Sequence, residues 1–281
     1  MARAPRPARQ LSLVGGPIPG YNEFEMDVES VLREQLPAFF EGIDLAPLTH
    51  ENVEKIPQGA KGAYVLFHHR VPVYAGKTDA KHGFRNRLGR HWYTLQHRHG
   101  LHIDDIGFKA VRVMVFSNFD VEAILIEELR RQNEEYLAWN DSGFGSNDPG
   151  RNREGQEPAE FDELFPIDID KPLDVIPPGT QGLLPLLANV KDASPYLLRY
   201  ETDVKGRQKN GKITYVRYKI GHADQRAATV TIPPPPISMR DFLAIVVAAL
   251  PGWQATVFPD RIILYRESAD YQFAKEYIPT R

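Results

Sequence analysis

Cysteine is missing from all 281 positions. Its absence removes disulfides, thiolate metal sites and cysteine nucleophiles together, so any metal must sit on oxygen or imidazole. Long apolar runs are missing too: the longest, 242–250, is of helix-core length and far below the roughly 20 residues that span a bilayer. The start, MARAPRPARQ, lacks the apolar stretch of a secretory signal and reads as a loose basic arm. A cytoplasmic protein without a membrane partner is the expectation. Neither sign of charge dominates, the net being −3. The distribution is uneven. Residues 61–100 hold eight Lys/Arg (Lys61, Arg70, Lys77, Lys81, Arg85, Arg87, Arg90, Arg98) against Asp79 alone, with six histidines. Such a block is the usual footprint of a phosphate-binding face, and a solvated helix face has the same composition.

What is present divides the chain into four stretches. Residues 1–58 read as the arm and one helix over 26–40, with Val28, Val31, Leu32 and Leu36 on a single stripe and Pro37 ending or kinking it. Residues 59–156 read as a compact module. GAYVLFHH at 62–69 and VPVYAGK at 71–77 are strand-like runs separated only by Arg70, hence a hairpin. A helix is expected over 84–96, a strand over 108–116, and a helix capped by Asp120 that runs to 137, so the order is β-β-α-β-α. Residues 157–195, acidic and then rich in Pro and Leu, read as a linker that partly packs on its neighbours. Residues 196–281 read as a small β-β-α-β-β domain of unknown role. It has strands at 196–200 and 213–220 about Asn210-Gly211, a helix capped by Ser238 with Asp241, and a hairpin of 254–258 with 262–265.

Five strings carry the chemistry, in this order: GAY at 62–64, VYAGK at 73–77, RLGRH at 87–91, VEAILI at 121–126 and WNDSGFGSNDPG at 139–150. Arg87 and His91 are four apart on a helix, so they share a face and can act on one phosphate. Glu122, in the first turn of the next helix, is a carboxylate able to hold a hard cation that water and phosphate oxygens complete. Tyr64 and Tyr74 on adjacent strands put two phenols between them. Phosphodiester hydrolysis needs such a kit: a cation for the leaving oxygen, a guanidinium for the equatorial charge and a base for the incoming water.

These strings resemble the GIY-YIG nuclease superfamily, and more narrowly its type II restriction endonucleases that cut CCGCGG, the SacII-like specificity. The similarity covers residues 59–155, about a third of the chain. The resemblance implies a GIY-YIG fold, a small antiparallel sheet flanked by helices; the added C-terminal α+β domain has no counterpart in it, and the chain as a whole is expected to be α+β. It implies Tyr64 close to the attacking water and Tyr74 near the scissile phosphate. Arg87 would bind that phosphate, His91 would accept a proton from Tyr64 or water, Glu122 would hold the single divalent ion (Mg2+, with Mn2+ as substitute), and Asn140 would order the site. Lys77 would help lower the water's pKa. Tyr64 can act as base only where its anion is favoured, and Lys77, His91 and the metal are the groups able to favour it. The chain departs from the family at LRRQNEEYLA, which separates Glu122 from Asn140 by 18 positions and makes Glu127 and Glu128 rival metal ligands. Double-stranded DNA as substrate, a homodimer on a palindromic site and a DNA methyltransferase of the same specificity follow from the restriction reading.

Each residue also has a bland reading. Alone, either tyrosine is a sheet-packing aromatic, Arg87 a surface charge, His91 a structural ring and Glu122 a favourable charge at a helix N-terminus. The irregular trio His97, His99 and His102 fits a solvated loop better than a metal site. A basic hairpin over 205–219 is either a DNA-following ribbon or an edge protected by lysine, in equal measure. Two further readings stay beside restriction: a nuclease of relaxed or structure-based specificity in phage or plasmid defence, and a DNA-binding module without activity.

Overall fold

The computed structural model describes residues 28–78, 82–112, 121–145, 148, 150, 152–203 and 216–279. The arm, the Asp120 cap, residues 113–116 of the third expected strand and the basic segment 205–215 with Asn210-Gly211 lie outside the described residues. The architecture is mixed α+β with antiparallel sheets and several helices. Among the described residues, no helix is long and apolar enough to cross a membrane.

The first helix, α1 (Val28–Glu41), runs through Pro37 rather than ending there. β1 (Ala46–Pro47) and α2 (His50–Glu54) follow, with Thr49 capping α2. β2 (Ala63–His68) and β3 (Val71–Lys77) form the expected hairpin about His69 and Arg70. α3 (Phe84–Leu95) turns Phe84, Leu88, His91 and Leu95 inward, the spacing of one buried stripe. β4 (Ile106–Val111) pairs antiparallel with β2, and β1 with β4, which gives the order β1-β4-β2-β3 and leaves β3 at an edge.

The next helix, α4 (Val121–Gln132), stops five residues before the expected end at Leu137. The chain then turns through Leu137, whose backbone is left-handed (φ 64°), into the short α5 (Ala138–Asp141). A β-carbon disfavours that conformation. It is held here because the Leu137 side chain is fully buried and its N–H donates to the Pro72 carbonyl at 2.9 Å.

Side chains alternate across a strand, so the sheet acquires two separate cores. On one face Tyr64, Leu66 and Tyr74 meet Phe84, Leu88 and Leu95 of α3. On the other, Ala63, Val65 and Ala75 meet Ile124, Leu125 and Leu129 of α4 with Leu36 and Phe40 of α1. Leu36, Phe40, Leu48 and Val53, from the stretch before residue 59, share these two cores.

The stretch 157–195, expected as a linker that partly packs on its neighbours, contains regular elements. α6 (Glu160–Leu164) places Phe161 in the core on the α3 face. Beyond β5 (Pro172–Leu173) and β6 (Gly179–Gly182), α7 (Leu183–Ala193) buries Leu183, Leu186, Leu187 and Val190 in the C-terminal core. Pro185 sits in the first turn of α7, where its missing N–H forfeits no helical bond.

β7 (Leu197–Tyr200) is the strand expected at 196–200, but 216–220 is a short helix, α8 (Val216–Ile220), instead of its partner strand. α9 (Ala223–Ala227), β8 (Thr229–Ile232) and β9 (Ile237–Ser238) lead to α10 (Met239–Ala248), which opens with the expected capping box of Ser238 and Asp241. β10 (Gln254–Val257) and β11 (Arg261–Tyr265) form the expected hairpin, and β12 (Glu276–Ile278) extends it. The order β-β-α-β-β is therefore replaced by a sheet β12-β10-β11-β7, in which β7 runs parallel to β11, with β8 paired to β6 from the supposed linker.

Candidate active site

Tyr64 on β2 and Tyr74 on β3 lie with ring centres 6.1 Å apart on the sheet face that α3 covers. Helical spacing delivers Arg87 and His91 to the same place. The Tyr64 hydroxyl is 2.8 Å from His91 Nε2, and Arg87 Nε donates to that hydroxyl at 3.1 Å. Burial, and next to it the positive charge of Arg87 and Arg90, lowers the His91 pKa to about 3. His91 is therefore neutral near pH 7. A guanidinium only donates, so the Tyr64 oxygen accepts from Arg87, and in the His91 tautomer with the ring proton on Nδ1 the Tyr64 O–H donates to His91 Nε2.

Burial is also the main reason why the Tyr64 phenol is pushed well above its ordinary value, with Tyr74 adding to it and Arg87 opposing. In this state the phenol keeps its proton. Lys77 instead faces Glu122 across 3.0 Å.

Gly76 explains the tight approach of the two rings. A β-carbon there would lie 2.7 Å from the Tyr64 hydroxyl oxygen and 2.8 Å from Tyr74 Cε1, so only glycine lets the phenols meet. Phe144, which the sequence reading leaves without a role, closes the group. It stacks on His91 with ring centres 5.1 Å apart and meets Tyr74 edge-on at 4.9 Å. The signal was present as an aromatic set between Gly143 and Gly145, but its partners come from remote elements.

No family model matches this chain, and no curated protein matches it.

Asn140 takes no part in the phenol group itself. Its amide forms a two-way pair with Ala75, accepting from the N–H and donating to the C=O, each at 2.8 Å. Among the described residues β3 has no strand on this side, so Asn140 and the Leu137 N–H supply hydrogen bonds that a neighbouring strand would make. The pair fixes β3 one residue away from both Tyr74 and Gly76.

The carboxylates of α4 differ in their surroundings. Glu127 is exposed and pairs with Arg33 of α1, while Glu128 pairs with Arg131 at 2.6 Å. Glu122 is the one that faces β3, through Lys77. Lys77 follows Gly76 directly, so this ion pair stands at the strand end where the phenols meet, although the α4 helix covers the opposite face. A magnesium ion takes one or two carboxylates and completes its shell with water and substrate phosphate, so a lone Glu122 fits it, or manganese; Lys77 is a competing cation on the same oxygen.

A cavity of about 340 Å³ lies beyond Phe84, lined by Ile43, Ala46, Ile56, Phe108 and Ala110 among others. It is apolar and contains none of the candidate residues.

Behind Phe144 the same segment reaches the C-terminal module. Asp148 accepts from Arg199 of β7 at 2.7 Å and from Arg153 at 3.2 Å. These bonds, with the bond to the Gly150 N–H, hold the Asp148 carboxyl below its ordinary value against the opposing effect of burial.

Proposed function

We propose that the chain is a metal-dependent DNA endonuclease of the GIY-YIG type, most closely of the restriction class that acts on palindromic sites as a homodimer. The observation that carries this reading is the line Arg87–Tyr64–His91 beside Tyr74, in which the phenol and the imidazole are buried and the guanidinium is half-buried. A donor, a phenol and a neutral imidazole in series form a path along which a proton can leave a nucleophile while a cation faces a phosphate. A purely structural core has little use for a buried imidazole joined through a buried phenol to a half-buried guanidinium.

In this reading a DNA phosphate docks on Arg87 near Tyr74. Its negative charge offsets the Arg87 charge that depresses His91, so the imidazole becomes a better proton acceptor once substrate is present. The Tyr64 oxygen takes the proton of the attacking water as its own proton moves to His91 Nε2. Arg87 then balances the charge that grows on the equatorial oxygens. Lys77 and Glu122 neutralise each other without substrate; Glu122 would be the residue to hold the metal, and Lys77 would then be available to a phosphate. Magnesium, or manganese in its place, supplies a positive charge for the leaving oxygen. Asn140 and Gly76 hold the strand on which Tyr74 stands.

Incubation of the purified chain with supercoiled plasmid in magnesium or EDTA tests the reading. Discrete fragments favour the site-specific form, with a DNA methyltransferase of the same specificity as its companion. A smear points to relaxed or structure-based cleavage, and DNA binding without cutting in any metal contradicts the catalytic role.

A further inference from the structure

At the end of β2 remote from Tyr64, two imidazoles and a carboxylate converge. His68 and His69 have ring centres 4.1 Å apart, and His69 Nδ1 is 3.6 Å from Asp105 Oδ1. One ligand atom from each of the three residues lies within 4.8 Å of the others. We propose that His68, His69 and Asp105 form a binding site for a transition-metal ion of the zinc class, separate from Glu122.

The donor set fits that class. Two nitrogens and one carboxylate oxygen are what zinc, nickel or cobalt take, while magnesium and calcium prefer oxygen throughout. Bonds of about 2.0–2.1 Å in a tetrahedral site set its ligands roughly 3.3 Å apart, close to the His69–Asp105 spacing. A ring nitrogen of His68 lies within 4.8 Å of both. The rings are open enough for entry: the side chains of His69 and Asp105 are 64% and 38% exposed, which leaves room for water at the fourth position.

The backbone supplies an independent observation. His69 and Arg70 both lie at positive φ, 49° and 68°. A two-residue hairpin turn of that kind is ordinarily served by Asn-Gly, because a β-carbon is disfavoured there. The chain keeps a histidine at the turn nonetheless, and this conformation sets its ring beside His68. The counterpart strand is tied in as well, since the His69 N–H donates to the Asp105 carbonyl at 3.0 Å and His68 pairs with Ile106 across the sheet. Trp139, its ring centre 5.8 Å from that of His68, stands on another side of the imidazole. The three donors are thus carried on two locked segments, and an ion would join the β2–β3 turn to the turn before β4.

His68 is four residues along the strand from Tyr64, about 13 Å. An ion here reaches neither the phenols nor Glu122, and its binding is independent of whether the chain cuts DNA. Titration calorimetry of the tag-free full chain with zinc chloride tests the site. One saturable ion per chain is expected in the wild type, retained in Glu122→Ala and weakened at least about tenfold in both His69→Ala and Asp105→Asn. Asp105→Asn keeps the side-chain shape, and circular dichroism of each variant checks the fold. Absence of a saturable site in the wild type overturns the proposal. So does zinc uptake that folded His69→Ala and Asp105→Asn leave unchanged, or that Glu122→Ala alone abolishes.

Discussion

Acid should destabilise this chain through one buried ring, and replacing His91 with glutamine should remove that part of the loss. Unfolded, the imidazole titrates near 6.5, and in the fold at about 3. Between these values the unfolded state binds the extra proton, so stability rises with pH. The penalty begins as pH falls through 6.5 and grows by about 1.4 kcal/mol per unit until the folded ring itself takes a proton near 3. From pH 7 to pH 5 the share of His91 is therefore about 2 kcal/mol. That figure depends on the unfolded value alone, because the folded value lies well below 5. His91→Gln retains an oxygen to accept from Tyr64 and carries no charge at either pH. Urea unfolding of both proteins, followed by the fluorescence of Trp92, Trp139 and Trp253, gives each stability at the two pH values. Carboxylates and the other histidines lose the same amount in both proteins and cancel in the difference. The wild type should lose about 2 kcal/mol more than the variant. Equal losses, within about 0.5 kcal/mol, would show that His91 is not buried neutral and would undo the hydrogen assignment along Arg87–Tyr64–His91.

Three further substitutions bear on the geometry. Gly76→Ala should cost about 1–3 kcal/mol and lower the thermal midpoint, since its methyl group must displace both phenols; an unchanged midpoint would mean that the rings are not where the account puts them. Asn140→Asp should cost about 1–3 kcal/mol, because a carboxylate accepts from the Ala75 N–H but opposes its carbonyl; chemical denaturation showing no loss would contradict the two-way pair. Arg87→Lys keeps the charge and loses the Nε–H held by Tyr64, so plasmid cleavage should fall about 100-fold or more, whereas wild-type rates would reduce Arg87 to a point charge.

Local patterns made much of this fold legible. The alternation of 62–77, the stripe of α3 and the Ser238–Asp241 box each depend on residues close in sequence, and each element is present. Failures arose where tertiary packing decides. The prolines around α7 suggested a linker, yet Pro185 sits harmlessly in a first turn and the leucines fill the C-terminal core. Residues 216–220, VRYKI, have the composition of a strand, but they form a helix, and β7 pairs in parallel with β11 instead. The site was legible in part for the same reason. Arg87 and His91 both reach Tyr64 because of helical spacing, whereas the grip of Asn140 on Ala75 spans 65 residues and leaves no local trace. The break of the helix at Gln132, with the left-handed Leu137, is what resolves the long interval between Glu122 and Asn140. Both ends of that interval reach β3, one through Lys77 and one through Ala75.

The measurement closest to the central claim compares the wild type with Glu122→Ala on supercoiled plasmid, in magnesium and in EDTA, with run-off sequencing of any ends. The account expects magnesium-dependent cuts at a defined sequence by the wild type and none by the variant. Absence of cutting by the wild type on varied DNA, or equal cutting by both proteins, would contradict it.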